Sequence, residues 1–169
     1  MTLKIVLAGF NGTWRKEAGH ILSMRLGREF FDIEQMIEEK ENDRIAHISQ
    51  IKGAIYVRDL ESSIIKRISV FEHSVISVGP DVIADQKNRL FLKSNGIIIW
   101  FTAEPSVILL RLHPGKEGKA LLKKQNAISH IRQILKEHDY SCFADKVLDT
   151  SFLTPEETAD QVQQMLASF

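Results

Sequence analysis

The chain has 169 residues, 44% of them hydrophobic, with 22 Lys plus Arg against 22 Asp plus Glu. That is enough apolar material for one core, and a zero formal balance gives no electrostatic footprint for nucleic acid or an anionic membrane. The lone Cys142 cannot close an internal disulfide, and the opening apolar run stops at Gly9, too short to cross a bilayer or to serve as a secretory leader. The expectation is one soluble, cytoplasmic domain over residues 1–169.

In chain order, residues 3–8 are near-continuously apolar, the pattern of a strand covered on both faces. Gly9 and Gly12 then lead into a helix with Ala18, Leu22, Arg25 and Leu26 at turn spacing, Arg25 bending outward. A short strand is expected over 29–31, followed by a helix start carrying Asp32 and Glu34. From Ala54 a second stripe runs through Val57, Leu60, Ile64 and Ile68. A strand at 75–78 precedes a helix over 84–94 that Asn95-Gly96 stops, and a strand follows at 97–101. Pro105 opens a short helix through Leu110, and 121–137 forms another with Leu121, Ile128, Ile131 and Leu135. A weaker strand covers 146–148. Thr154-Pro155-Glu156-Glu157 reads as N-cap, first-turn proline and capping-box glutamate before Ala159, Val162 and Leu166.

Strands alternating with helices predict a three-layer α/β domain, a five-stranded parallel sheet with helices on both faces. In such a sheet ligands bind beyond the carboxyl ends of the strands, so the loops there matter most. The first, Gly9-Phe10-Asn11-Gly12-Thr13-Trp14-Arg15-Lys16-Glu17, has the strand–turn–helix frame of a phosphate-binding P-loop. It keeps only the first glycine of G-x-x-x-x-G-K-[ST], and by itself such a turn implies no ligand. The six histidines read as surface or packing residues rather than metal ligands. Cys142 reads as a small apolar filler rather than a nucleophile.

Several segments together carry a resemblance. Gly9-Phe10-Asn11-Gly12, Phe30-Phe31-Asp32-Ile33-Glu34 with Ile37-Glu38-Glu39, and Arg58-Asp59-Leu60-Glu61 come first. Asn88-Arg89-Leu90, Asn95-Gly96-Ile97-Ile98-Ile99-Trp100 and the 154–157 helix start follow in order. Over essentially its whole length the chain resembles the shikimate kinase family, small P-loop kinases related to nucleoside monophosphate kinases. The resemblance implies transfer of the γ-phosphoryl group of ATP to a hydroxyl of shikimate, with Mg²⁺. It implies Gly9, Gly12 and Thr13 in the nucleotide loop with Arg15 or Lys16 on the phosphates. It further implies Asp32 at the metal through water and Glu34 at the acceptor hydroxyl. Arg58 and Lys136 fall at the acceptor carboxylate, Gly79 in a glycine-rich acceptor loop, and Arg111 against adenine. Lys119 falls in a flexible lid at 112–120.

The departures fall on the chemistry. Trp14, Arg15 and Lys16 stand where the family has glycine, the phosphate-binding lysine and a metal-binding Ser or Thr. Glycine lets backbone N–H groups close on phosphate, and an indole must enter that cavity or turn outward on a different loop path. Arginine replaces a compact ammonium by a planar fork. A lysine about 4 Å from a metal ion meets roughly 4 kcal/mol of repulsion per unit charge at an effective dielectric of about 20, less if its stem swings away. Glu17 puts a carboxylate at the helix N-terminus, where it can take the N–H groups a phosphate would use. Glu34 replaces aspartate, Lys136 replaces arginine, and Val78-Gly79-Pro80-Asp81 replaces a T-G-G-G loop.

For the loop, one reading is a structural turn with Trp14 packed and Lys16 and Glu17 solvated; the other is an Arg15-Lys16 pair gripping an anion in a new geometry. Asp32 and Glu34 read equally as helix-start acids, and Arg111 as a helix-end charge. The leading expectation is a shikimate-kinase-like protein with lost or much reduced phosphoryl transfer, acting as a binding or interaction protein. Its partner would be a small acid, a nucleotide or a protein, without nucleic acid or membrane, and it would need no cofactor. The alternative is a working kinase of shikimate or a related hydroxy acid with a remodelled loop, using ATP and Mg²⁺.

Overall fold

A computed structural model describes residues 3–169, so the first two positions of the expected domain lie outside it. The described residues form five strands: β1 (Lys4–Gly9), β2 (Glu29–Asp32), β3 (Ser74–Val78), β4 (Gly96–Thr102) and β5 (Lys146–Asp149). All pair in parallel in the order β2-β3-β1-β4-β5. Ten helices surround the sheet. They are α1 (Arg15–Leu26), α2 (Ile33–Glu41), α3 (Ile45–Lys52), α4 (Ala54–Ile68), α5 (Pro80–Ala84), α6 (Gln86–Lys93), α7 (Pro105–Leu112), α8 (Lys116–Leu122), α9 (Gln125–Glu137) and α10 (Pro155–Leu166).

The alternation of β1 divides the core. Ile5 and Leu7 pack with Ala18 and Leu22 of α1 and with Ala159 and Val162 of α10. Val6 and Ala8 face the other way, onto Ile33, Ile37, Val57, Leu60, Ile64 and Ile83. A central parallel strand is apolar on both faces because helices cover both. Gly19 lets α1 lie close to the sheet, since a Cβ there would meet the Phe30 ring at 2.8 Å. Lys4 is buried, and its Nζ donates to the Ser69 and Phe91 carbonyls, tying the ends of α4 and α6 to the sheet. Burial lowers the Lys4 pKa, and Glu72 opposes that.

The elements refine the sequence reading at several places. The expected helix over 84–94 is α6, begun at Gln86 because Asp85 leaves helical geometry and its carboxylate caps α6 through the Asn88 N–H at 3.0 Å, and the short α5 ahead of it was not expected. The expected helix over 121–137 is broken at Lys123 and Lys124, and much of the 112–120 segment belongs to α8. α3 went unanticipated because its Ile45, Ile48 and Ile51 pattern is short and only Ile48 is buried. Arg25 does bend outward, to Asp160 of α10 at 2.6 Å. Cys142 is a correction: a 3₁₀ turn over Ser141–Phe143 leaves it exposed, so it fills no core. No helix of the described residues is long and apolar enough to cross a membrane.

Leu22 is fully buried between α1 and the sheet. Leu22→Ala is expected to cost about 2–5 kcal/mol of unfolding free energy, read from urea denaturation, with loss under 1 kcal/mol contradicting that packing.

Candidate functional site

The β1–α1 loop lies where chain connections leave the sheet in opposite directions, with the carboxyl ends of β1, β2 and β3 side by side. Register sets Asp32, at the end of β2, beside Ser77 of β3. Gly9 has φ 150°, and a Cβ on it would meet the Phe101 carbonyl at 2.6 Å. Thr13 is buried, and its hydroxyl donates to the Phe10 carbonyl at 2.6 Å, closing the turn on itself. Trp14 takes the left-handed conformation, φ 66°, directly before α1.

The Arg15 side chain turns inward and is 1% exposed. Nη1 donates to Ser77 Oγ at 2.7 Å, and Nη2 donates to Asn11 Oδ1 at 3.0 Å and Glu34 Oε1 at 2.7 Å. Asp32 Oδ2 stands 3.7 Å from Nη1, and Lys16 Nζ is 2.9 Å from Glu34 Oε2 and 3.7 Å from Asp32 Oδ1. Two cations therefore face two carboxylates across the mouth of β2. Burial pushes the Glu34 carboxyl upward, but Arg15 and Lys16 together hold it below its ordinary value. Gly79 makes room for this, since a Cβ there would come within 3.1 Å of Glu34 Oε1. Asp32 also caps α2, its Oδ1 accepting the Gln35 N–H at 2.8 Å, so the helix-start role is met.

Neither sequence reading of the loop is quite what forms. Lys16 is not simply solvated, and the anions gripped by the Arg15-Lys16 pair are the chain's own carboxylates. Glu17 is exposed, and α1 begins with no side-chain cap, so the helix N-terminus keeps its unpaired N–H groups.

The indole of Trp14 turns outward. Its Nε1 donates to the Leu153 carbonyl at 3.0 Å, and the Arg111 guanidinium lies 4.5 Å from its ring centre. Arg111 also donates to the carbonyls of Gly12, Thr150 and Leu153 and to Thr150 Oγ1, bracketing the loop to the segment after β5. Burial lowers its pKa, opposed by Glu17 and Asp149. A cavity of about 210 Å³ remains over the loop, bordered by Asn11, Gly12, Trp14, Lys16, Glu17 and Arg111.

The residues suggested for Mg²⁺ do not fit it. That ion keeps several waters and takes one or two carboxylates together with phosphate oxygens. Asp32 Oδ2 is buried without a hydrogen-bond partner, as a metal-facing oxygen would be, yet Arg15 and Lys16 both stand 3.7 Å from that carboxylate. No hydroxyl follows Arg15 in the helix, where Lys16 stands. Among the described residues no cluster of His, Cys, Asp and Glu has metal-holding geometry.

The acceptor-side residues separate. Arg58 borders a cavity of about 300 Å³ with Glu61, Asp81, Asp85, Asn88 and His138. Lys136 borders a different one, with Trp100, Arg132 and Asp139. A third cavity of about 320 Å³ lies between the loop and α9, walled by Phe10, Ile108, Leu112, Ile131, Ile134 and Leu135. Lys119 is exposed on α8. Sequence reasoning missed Ser77 and Asn11 as partners of Arg15. The only available signal for Ser77 was a hydroxyl at the carboxyl end of an otherwise apolar strand.

Known proteins share this arrangement of elements. The family model for shikimate kinase matches residues 12–167. The shikimate kinase of Thermoanaerobacter pseudethanolicus is 33% identical over 159 residues, covering 94% of this chain and 92% of that protein. That of Thermodesulfovibrio yellowstonii is also 33% identical over 159 residues, with 94% and 91% covered. The solved shikimate kinase from Acinetobacter baumannii in complex with shikimate superposes with a TM-score of 0.84 at 27% identity, over 98% of this chain and 93% of that one. With sequence and fold both matched along nearly the full length, the chain belongs to the shikimate kinase family.

Proposed function

We propose that this member of the family has lost efficient phosphoryl transfer and acts as a binding protein on the kinase fold. The observation that carries the reading is the buried guanidinium of Arg15, bonded to Ser77, Asn11 and Glu34 beside Asp32. Phosphoryl transfer depends on positioning and on positive charge at the transferring group. Here that charge is neutralised by the two carboxylates the family resemblance places at the metal and the acceptor, and they in turn are neutralised by it. Binding Mg-ATP would require breaking a buried ion pair, which is costly because each charge loses its partner in a poorly solvated place. Trp14 and Arg111 support the same reading, since the guanidinium proposed for adenine is covered on one face by the chain's own indole.

A working kinase remains the second reading, favoured by relatives named as shikimate kinases and by the retained Asp32 and Arg58. In it Lys16 and Arg15 would exchange their carboxylate partners for phosphate oxygens. Titration calorimetry with Mg-ATP separates the two. The binding-protein reading expects no micromolar site, whereas metal-dependent micromolar affinity, with ADP release in a coupled assay with shikimate, establishes the kinase.

Restoring the loop should restore its ligand. The triple variant Trp14→Gly, Arg15→Lys, Lys16→Ser is expected to gain a thermal shift with Mg-ATP that the parent lacks. No gain would place the loss beyond the loop.

The ion pair also has a pH signature. Glu34 is held below its ordinary value near 4.5, so its contribution to stability is complete above that pH and is lost as pH falls through the folded value. Glu34→Gln should cost about 3 kcal/mol at neutral pH, and the gap to the parent should narrow below pH 4.5. Urea melts at several pH values check this; a gap independent of pH would mean that the carboxylate charge is not what holds the loop.

A further inference from the structure

The zero formal charge of the chain conceals an uneven spread. Residues 116–136 hold six of the 22 Lys and Arg, namely Lys116, Lys119, Lys123, Lys124, Arg132 and Lys136, but only one of the 22 carboxylates, Glu117. Elsewhere 16 cations face 21 carboxylates. Glu117 is 3.4 Å from His113 Nδ1, and all six cations are exposed. Among the described residues none of their side chains has an ion-pair or hydrogen-bond partner. Lys116, Lys119 and Lys123 recur at i, i+3 and i+7, which sets them along one face of α8 and its end. Arg132 and Lys136 are i, i+4 neighbours on α9.

A second observation adjoins the first. Arg132 and Lys136 border a groove of about 380 Å³ whose floor is apolar, made by Phe10, Trp100, Leu135 and Val147. Asp139 also borders it, and one of its oxygens already accepts the Ser141 N–H at 2.9 Å. The groove shares Phe10 with the nucleotide loop, and shares no residue with the Arg15 cluster or with the cavity beside Arg58. Val147 lies on the edge strand β5 and is 51% exposed, an apolar side chain open to solvent beside two unpaired cations.

An occupant that satisfies both features brings negative charge to the rim and an apolar group to the floor. A flat bilayer does not reach a recessed floor. Nucleic acid brings the charge, but its bases need an open aromatic face to stack on. Trp100 is 3% exposed, with the Phe10 and Tyr140 rings edge-on to it at 6.3 and 6.4 Å, so it offers none. A polypeptide supplies carboxylates and an apolar side chain within one short stretch. From Lys124 to Lys136 the helix spans about 18 Å, the reach of about six extended residues.

We infer that α8, α9 and this groove dock an acidic segment of a partner protein, its carboxylates on the cations and one apolar side chain between Leu135 and Val147. The inference deepens the binding-protein reading, on which it rests for its purpose, by naming a class of partner.

Fluorescence anisotropy on the full chain tests it with labelled peptides in which glutamates flank a central leucine, phenylalanine or tryptophan. The best of them is expected to bind about tenfold or more tightly than its glutamine counterpart, and than its version with serine at the centre. Arg132→Glu with Lys136→Glu should weaken it by about tenfold, and Val147→Ser by about threefold. Lys40→Glu with Lys66→Glu makes the same change in net charge on other helices and should leave the affinity within about twofold at physiological salt. All five of these side chains are exposed, and Val147→Ser keeps the test open if the double reversal fails to fold. Equal binding of the glutamine or serine versions, or an affinity unchanged by the Arg132 and Lys136 reversal, overturns the inference. So does tighter binding of a labelled oligouridine, or of phosphatidylserine vesicles by co-sedimentation, than of every peptide. Titration with Mg-ATP is a separate arm: nucleotide binding with the peptide still bound undoes the binding-protein reading alone, and binding of neither undoes this inference alone.

Discussion

The guanidinium of Arg15 is the centre on which the rest of this site depends. Its Nη groups tie together the β1–α1 loop through Asn11, the end of β2 through Glu34 and Asp32, and the end of β3 through Ser77. These are three segments that a parallel sheet places side by side but does not itself bond at their tips. A long planar donor fork spreads its N–H groups over two terminal nitrogens and reaches all of them from the first helical position, whereas a lysine's three donors share one nitrogen. Lys16, one residue on, completes the cluster by bonding the second oxygen of Glu34. The loop is therefore held by charges internal to the chain.

That constraint explains features nearby. With Arg15 turned inward, Trp14 sits in a left-handed conformation and its indole faces the other way, toward Leu153 and Arg111. Arg111 and the Thr150 hydroxyl then bond the carbonyls of Gly12 and Thr13, so the outer side of the turn is also fixed by the chain itself. Gly79 is the one glycine kept from the expected acceptor loop, and it lies where any side chain would crowd Glu34. Beside this cluster, Asp81 borders the Arg58 cavity together with Glu61 and Asp85.

Much of this was legible from residue order. The near-continuous apolar run of β1, the capping box at Thr154 and Glu157, and the apolar stripe of α4 each depend on neighbours a few residues away. The short α5 ahead of Asp85 and the break at Lys123-Lys124, which no glycine or proline marks, emerge only in the folded chain. Cys142 was misread for the same reason, its type suggesting an interior that the 3₁₀ turn does not give it.

For the site, residue order alone carried the family resemblance and the identities of the charged residues. Those facts are local, and side-chain chemistry can be read from letters. Only the folded chain decided that Arg15 and Lys16 point at Asp32 and Glu34, and that Arg58 and Lys136 border separate cavities. Charge partners are chosen by distances of a few ångströms between segments tens of residues apart, and such distances exist only once the sheet has set the strand ends together.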